Sequence, residues 1–299
     1  MIKVKLIAPS SGLSQDPVGF LSKATSYLKS QGVHLIYEDG IFAGNELPFF
    51  ASSQEFMVKN LVNSLESDEY EILWAARGGY GCANLLEQVS RAKINGTKIL
   101  VGFSDITALH ILMNEYFGVE SIHGPALSSF MKYEQDFSII INTLNSPSTK
   151  YFLKKISNFH SSNQITGKII GGNLTVLESL IGTKFQPNLQ GKILLLEDIG
   201  ERPYRIHRSL MHMKNANLLE GCSAIIFADF LEKNNDITEQ DMKEVIIHFC
   251  NNEVKIPCFF TNRIGHGSKN LPIILNRNAK ISHKHNDDVI LDVFIQSKN

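Results

Sequence analysis

Cysteine is scarce and scattered in this chain. Its 299 residues carry only Cys82, Cys222, Cys250 and Cys258, and none form a C-x-x-C pair. Such spacing reads as reduced, buried thiols, not as a disulfide framework or a zinc site. A surplus of charge is also missing. The 29 basic and 30 acidic side chains leave a net charge of −1 and a pI near 6.8. Without a basic excess to neutralise phosphates, nucleic acid is not an expected partner. No apolar run reaches the roughly 20 residues that span a bilayer. The apolar stretch of MIKVKLIAPSSG is too short and too interrupted for a signal peptide. The expectation is therefore a cytoplasmic protein without a membrane partner. Phosphate-binding signatures are absent as well: there is no G-x-x-x-x-G-K-[ST], and the first strand–helix turn lacks G-x-G-x-x-G. What remains is ordinary for a soluble globular protein, 43% apolar and 20% charged, and long enough for one large or two ordinary domains.

The first half alternates strand and helix patterns. Strands are expected at 3–8, 34–37, 71–76, 98–103 and 119–123, with helices at 17–30, 52–65, 81–89 and 105–117. This alternation predicts a parallel sheet covered by helices, an α/β domain over residues 1–150. A polar linker is expected over 151–166. The remainder, 167–299, is strand-richer and reads as an α+β domain.

Ligands of open parallel sheets bind at the carboxyl ends of the strands. Four loops are singled out: Pro9–Gly12, Arg77–Gly81, Ser104-Asp105 and His123–Pro125. All should converge. In WAARGGYGCANLL, three glycines in four positions can cradle a phosphate, turn sharply, or aim bare N–H groups at a developing charge. In ILVGFSDITALH, Ser104 stands between strand and helix. It is either an N-cap or a nucleophile at an elbow, although Ile106 replaces the second glycine of G-x-S-x-G. A serine nucleophile needs a base. Of ten histidines, His266 stands out between two glycines in TNRIGHGSKNLP, and His123 is its rival. The base needs an acceptor. Glu197 and Asp198 end the apolar run Ile193–Leu196, where a carboxylate is costly unless paired. An ion pair with Arg202, Arg205 or Arg208 is the structural alternative. His283, His285 and Asp287 have a metal-like look but read as a solvated hairpin turn, since nothing else completes a site.

The stretches IAPSSG, ARGGYG, GFSDIT, IHGP, GKIIGGNLTVLESLIGT, LLLEDIGERPYRIHR and GHGSKNLP, in that order, resemble the LD-carboxypeptidase family of serine peptidases over nearly the whole chain. The resemblance implies Ser104 as nucleophile, Glu197 as the acid member and His266 as base. It also implies a flavodoxin-like N-terminal domain and a smaller β-rich C-terminal domain, with the site at their interface. The glycine loop is then read as an oxyanion hole, with the Gly79 N–H and the Asp105 N–H as donors. Arg77, Tyr80 and Ser10 become candidate substrate contacts. The implied activity is release of terminal D-alanine from a murein tetrapeptide in cell-wall recycling, with neither metal nor cofactor; a homodimer is compatible with it. Two other readings stay open. A microcin C immunity-type hydrolase would need an aromatic clamp for a purine, for which Tyr80, Phe103 and Phe130 are the candidates. A two-domain binding protein would keep the cleft without turnover. The chain departs from the family at His207, where aspartate is usual, and at Phe56 and Met57, in a region where an arginine is common.

Overall fold

Short apolar runs make the strands of the first half. β1 (Ile2–Ile7), β2 (Val33–Ile36), β3 (Ile72–Ala75), β4 (Ile99–Gly102) and β5 (Ser121–His123) pair in parallel in the order β2-β1-β3-β4-β5. In the computed structural model, residues 14–15, 45–46, 133–135, 158–163, 232–238, 268, 284–288 and 296–299 are not described, and all others are. The chain divides into two compact units, Met1–Leu144 and Asn145–Asn299. Among the described residues no helix is long and apolar enough to cross a membrane.

The strand order of the first unit is that of a flavodoxin-like sheet, whose winding reverses between β1 and β3 while the strands stay parallel. Helices Pro17–Ser30 and Gln54–Glu66 begin where the sequence provides caps. Asp16 accepts from the Gly19 N–H at 2.9 Å and Ser53 from the Phe56 N–H at 3.2 Å, meeting donors that the first turn leaves over. Two expected helices are tighter or wider than a plain α-helix. The first is a 3-10 turn, Cys82–Leu85, followed by one α turn, Leu86–Val89. The second begins as a 3-10 turn at Ser104–Ile106, continues as α over Thr107–Ile111, and widens to a π turn at Leu112–Tyr116. From that π turn the Asn114 amide reaches Val119 O and Ser121 Oγ, tying the helix end to β5.

The second unit is β-rich as expected, and its strands form a closed barrel that the α+β expectation left undescribed. Its strands are β6 (Ser148–Lys155), β7 (Ile165–Asn173), β8 (Ile193–Ile199), β9 (Ala224–Leu231), β10 (Cys258–Phe260), β12 (Asn278–His283) and β13 (Val289–Phe294), in the order β10-β6-β13-β12-β7-β8-β9, while β11 (Ile273–Leu275) is a further short strand. β7, β8, β9 and β10 pair in parallel, and β12, β13 and β6 close the barrel antiparallel. Of the antiparallel strands, β13 reads as a strand in the sequence, whereas β6 and β12 are hidden by their polar half. β6 falls partly within the expected linker because Phe152 and Lys154 face out while Tyr151 and Leu153 fill the barrel. β12 likewise sends Ala279 and Ile281 inward. Alternation of period two carries this signal, and a one-sided strand with lysines on its outer face looks like a loop by composition. β8 is legible for the opposite reason: both of its faces are buried, so it reads as a continuous apolar run.

Gly171 of β7 lies against β8 at φ +128, where a Cβ would collide with the Leu195 carbonyl oxygen. Gly171→Ala is therefore expected to destabilise the barrel by about 2 kcal/mol or more. The check is the urea midpoint of the barrel transition, and an unchanged midpoint refutes the close approach.

Candidate active site

Ser104 leaves β4 with φ +61, the left-handed region that residues with a Cβ rarely occupy. Phe103 before it is extended, and no side chain caps the turn that Ser104 opens. The capping alternative thus drops out: Ser104 is the first residue of the 3-10 turn, not its cap. Gly78 packs directly on it. A Cβ on Gly78 would sit 2.8 Å from Ser104 Cβ and 3.3 Å from the Phe103 carbonyl oxygen. Glycine is required there because the neighbour includes backbone, which cannot rotate away.

The loops at the carboxyl ends of β1, β3 and β4 do converge. Ser10 Oγ donates to Asp105 Oδ2 at 2.6 Å, and the Cys82 N–H donates to the same oxygen at 2.9 Å. The Tyr80 N–H donates to Ser11 Oγ at 3.1 Å, and Arg77 Nη1 donates to the Gly12 carbonyl at 2.7 Å. The Asp105 carboxylate therefore points into the protein and ties three loops together. Ser10, expected at a substrate, has no exposed surface and braces Asp105 instead. Arg77 is half-buried and likewise spends one nitrogen on bracing. Among the described residues, no acceptor takes the N–H of Gly79 or of Asp105. Gly79 is exposed and has φ +124.

Beside this loop the Tyr80 ring is half exposed. It lies parallel to Phe50, with centroids 6.0 Å apart, and edge-on to Phe49 at 5.3 Å. Sequence reasoning missed Phe49 and Phe50, although two adjacent aromatics in a polar stretch were the available signal. Phe103 and Phe130 are core residues and cannot clamp a ligand ring. His123 is buried too, edge-on to Phe103 and 6.2 Å from His110. Burial first, then the nearby His123, pulls His110 down to about 3.

In the barrel unit, His266 Nδ1–H donates to Glu197 Oε2 at 2.5 Å. Glu197 is fully buried and pairs with His266, where the sequence also allowed an arginine. Glycines flank the histidine because their space is taken. A Cβ on Gly265 (φ +115) would meet Glu197 Oε2 at 3.1 Å, and one on Gly267 would meet Asp229 Oδ2 at 2.5 Å. Asp198 faces away from this pair. Its oxygens accept from Asn173 Nδ2, Thr175 N and Oγ1, and the Ile199 N–H, anchoring the start of helix Leu174–Glu178. Burial, and then the charge of Glu197, pushes Asp198 up to about 6. His207, the departure from the family pattern, is half-buried on helix Pro203–Asn215, 6.1 Å from the His248 ring. Met57 is core. His285 and Asp287 lie outside the described residues. Among the described residues, no group of three or more His, Cys, Asp or Glu side chains could hold a metal ion.

An elbow serine under a glycine loop, and a histidine bonded to a buried carboxylate, are the parts of a serine hydrolase. Comparison with known proteins narrows the class. The LD-carboxypeptidase N-terminal domain matches residues 4–124 and the LD-carboxypeptidase C-terminal domain residues 166–281. A putative carboxypeptidase of Rickettsia conorii is 36% identical over 289 residues, covering 94% of this chain and 88% of its own. A probable murein peptide carboxypeptidase of Bacillus subtilis is 26% identical, covering 96% and 91%. The fold is shared with a muramoyltetrapeptide carboxypeptidase from Oxalobacter formigenes (TM-score 0.80, 23% identity, 99% and 100% covered) and an MccF-like protein from Bacillus anthracis (TM-score 0.81, 21%, 99% and 97%). The chain belongs to the LD-carboxypeptidase family of serine peptidases.

Two outcomes follow from this geometry. Glycine releases the left-handed strain at position 104, on the order of 1 kcal/mol, against a similar entropic cost in the unfolded chain. Ser104→Gly is therefore expected to be at least as stable as Ser104→Ala, and a clearly lower urea midpoint for the glycine variant would contradict the left-handed assignment. For Asp198, the folded carboxyl keeps its proton up to about pH 6, while the unfolded one releases it near the ordinary carboxylate value. Between these values the native state binds more protons, so this residue's contribution to stability falls as pH rises through that window. Asp198→Asn should flatten that segment of the stability–pH curve, and parallel curves for the two proteins would refute it.

Proposed function

We propose that this protein is a cytoplasmic, metal-independent serine carboxypeptidase that hydrolyses an L,D-peptide bond and releases terminal D-alanine from murein tetrapeptides. The observation that carries the reading is the strained Ser104 elbow beneath Gly78. Strain of this kind persists where the surrounding structure enforces it, and it concentrates at catalytic residues. In the proposed cycle Ser104 Oγ attacks the carbonyl carbon of the scissile bond. His266 Nε2 takes the hydroxyl proton and delivers it to the departing amine of D-alanine. Glu197 holds the Nδ1–H tautomer and stabilises the imidazolium. The Gly79 and Asp105 N–H groups stabilise the tetrahedral oxyanion, and one such donor contributes about 10²–10³ in rate. Water, activated by the same histidine, then hydrolyses the acyl-enzyme.

A second reading, hydrolysis of an aminoacyl- or peptidyl-nucleotide amide, draws on the exposed Tyr80 ring, which could take a base against its free surface. One solved neighbour is an MccF-like protein from Streptococcus pneumoniae in complex with AMP. Competitive inhibition by AMP in the peptide assay separates the readings, and is not expected for a murein carboxypeptidase.

The direct experiment is incubation with L-Ala-γ-D-Glu-meso-diaminopimelate-D-Ala, with and without EDTA, scored by mass spectrometry. Loss of D-alanine is expected in both, together with its abolition in Ser104→Ala and labelling of wild-type Ser104 by a fluorophosphonate. An unlabelled serine with tight peptide binding would instead support the binding-protein reading. Glu197→Gln is expected to lose roughly 10²–10⁴ in kcat, whereas Asp198→Asn should be much milder, since its carboxylate anchors a helix. The reverse order of the two variants identifies Asp198 as the acid.

A further inference from the structure

The strand that brackets the Glu197–His266 pair contains an irregularity. Along β8 and β9, Leu196 pairs with Phe227, but Asp198 pairs with Phe230. Ala228 and Asp229 together therefore stand opposite Glu197, a one-residue bulge of a kind that is rare in parallel pairs and re-aims side chains near active sites. On the regular strand Ala224, Ile226 and Ala228 face the barrel interior. The bulge lets Asp229 leave that alternation.

We infer that Asp229 is the positioning residue of the catalytic histidine, strapping the Ile264–Gly267 loop at both ends so that His266 meets Glu197 in one orientation. The inference rests on the reading of His266 as the base. The Asp229 N–H donates to the Ile264 carbonyl at 3.1 Å, and Asp229 Oδ2 accepts the Gly267 N–H at 2.9 Å. His266 lies between these two points. Asn270 Oδ1 takes the intervening Gly265 N–H at 3.3 Å. Asp229 is 5% exposed, and a carboxylate that deep in an apolar strand is retained only where its charge and oxygens are used. The two glycines fit the same account, because the space beside each is occupied by Asp229. An imidazole held by a backbone strap keeps its Nδ1–H on Glu197 and its Nε2 toward the reacting group, and an error of about 1 Å in such a group costs on the order of 10²-fold.

The test uses the full-length chain. D229A is expected to lower kcat by roughly ten- to a hundredfold on the tetrapeptide, with KM within about twofold. D229N, which keeps an oxygen for the Gly267 N–H, should recover most of the loss. A second readout does not need turnover: the low-field proton resonance of His266 Nδ1–H, identified by its absence in H266Q. It should be present in wild type and D229N, and lost or broadened in D229A. If D229A does not fold, G267A presses a methyl on Asp229 Oδ2 and should show the same loss of resonance and rate. Wild-type kcat in D229A, or a slowed variant whose His266 resonance is unchanged, overturns the inference. A wild-type protein inactive on the tetrapeptide but with the D229A resonance lost would refute the substrate and leave the strap standing.

Discussion

A carboxylate with no exposed surface costs several kcal/mol unless something answers its charge, and Glu197 is such a group. Its partner is the Nδ1–H of His266, and much of the barrel mouth is arranged around that bond. β8 carries the glutamate out of an apolar core. The bulge on β9 turns Asp229 toward the histidine loop, and glycines at 265 and 267 make room for the two acids. Remove the pair and each of these features is a defect: an acid in a core, a slipped register, two glycines at the expense of loop stability. With the pair they form one device that presents a single tautomer of imidazole.

The first unit meets a different constraint, a serine held in an unfavourable backbone conformation. Serine has no intrinsic preference for the left-handed backbone it adopts, so the neighbours must enforce it. Close packing and hydrogen bonds surround it. Gly78 lies against Ser104, and the Asp105 carboxylate gathers Ser10 and Cys82 beneath the turn. Among the described residues the Gly79 and Asp105 N–H groups have no acceptor, which is the basis for proposing them as oxyanion donors. Asp105 thus supports the elbow with its side chain and is proposed to act with its backbone.

Neighbouring acids at 197 and 198 show how little separates structural from functional chemistry. Both are buried and both end the same strand. One is bonded to a histidine and the other to a helix start, because consecutive side chains on a strand point to opposite faces. Fold alone does not choose the substrate. A carboxypeptidase and a microcin C7 self-immunity protein share this architecture at low identity.

By itself the sequence determined the parallel sheet, whose central strands β3 and β4 are buried on both faces and therefore written as apolar runs. It also determined the convergence of the loops after β1, β3 and β4, because parallel strands all end on one side. The pairing of an acid at the end of β8 with a histidine between glycines was legible too, through motif order and the cost of a buried charge. The tertiary structure alone decided the rest. The barrel depends on which strands meet, and two of its seven strands, β6 and β12, carry lysines that hide them as loop. Ser10 looked available and is buried, since a serine at a strand end can face either way until its neighbours are placed. The positive φ at Ser104, and the close approach of Gly78 from 26 positions earlier, appear only in the fold. Asp229 stood in plain view in AIIFADFL. Its place opposite Glu197 comes from a slip of register between two strands, a property of the pair that neither strand encodes alone.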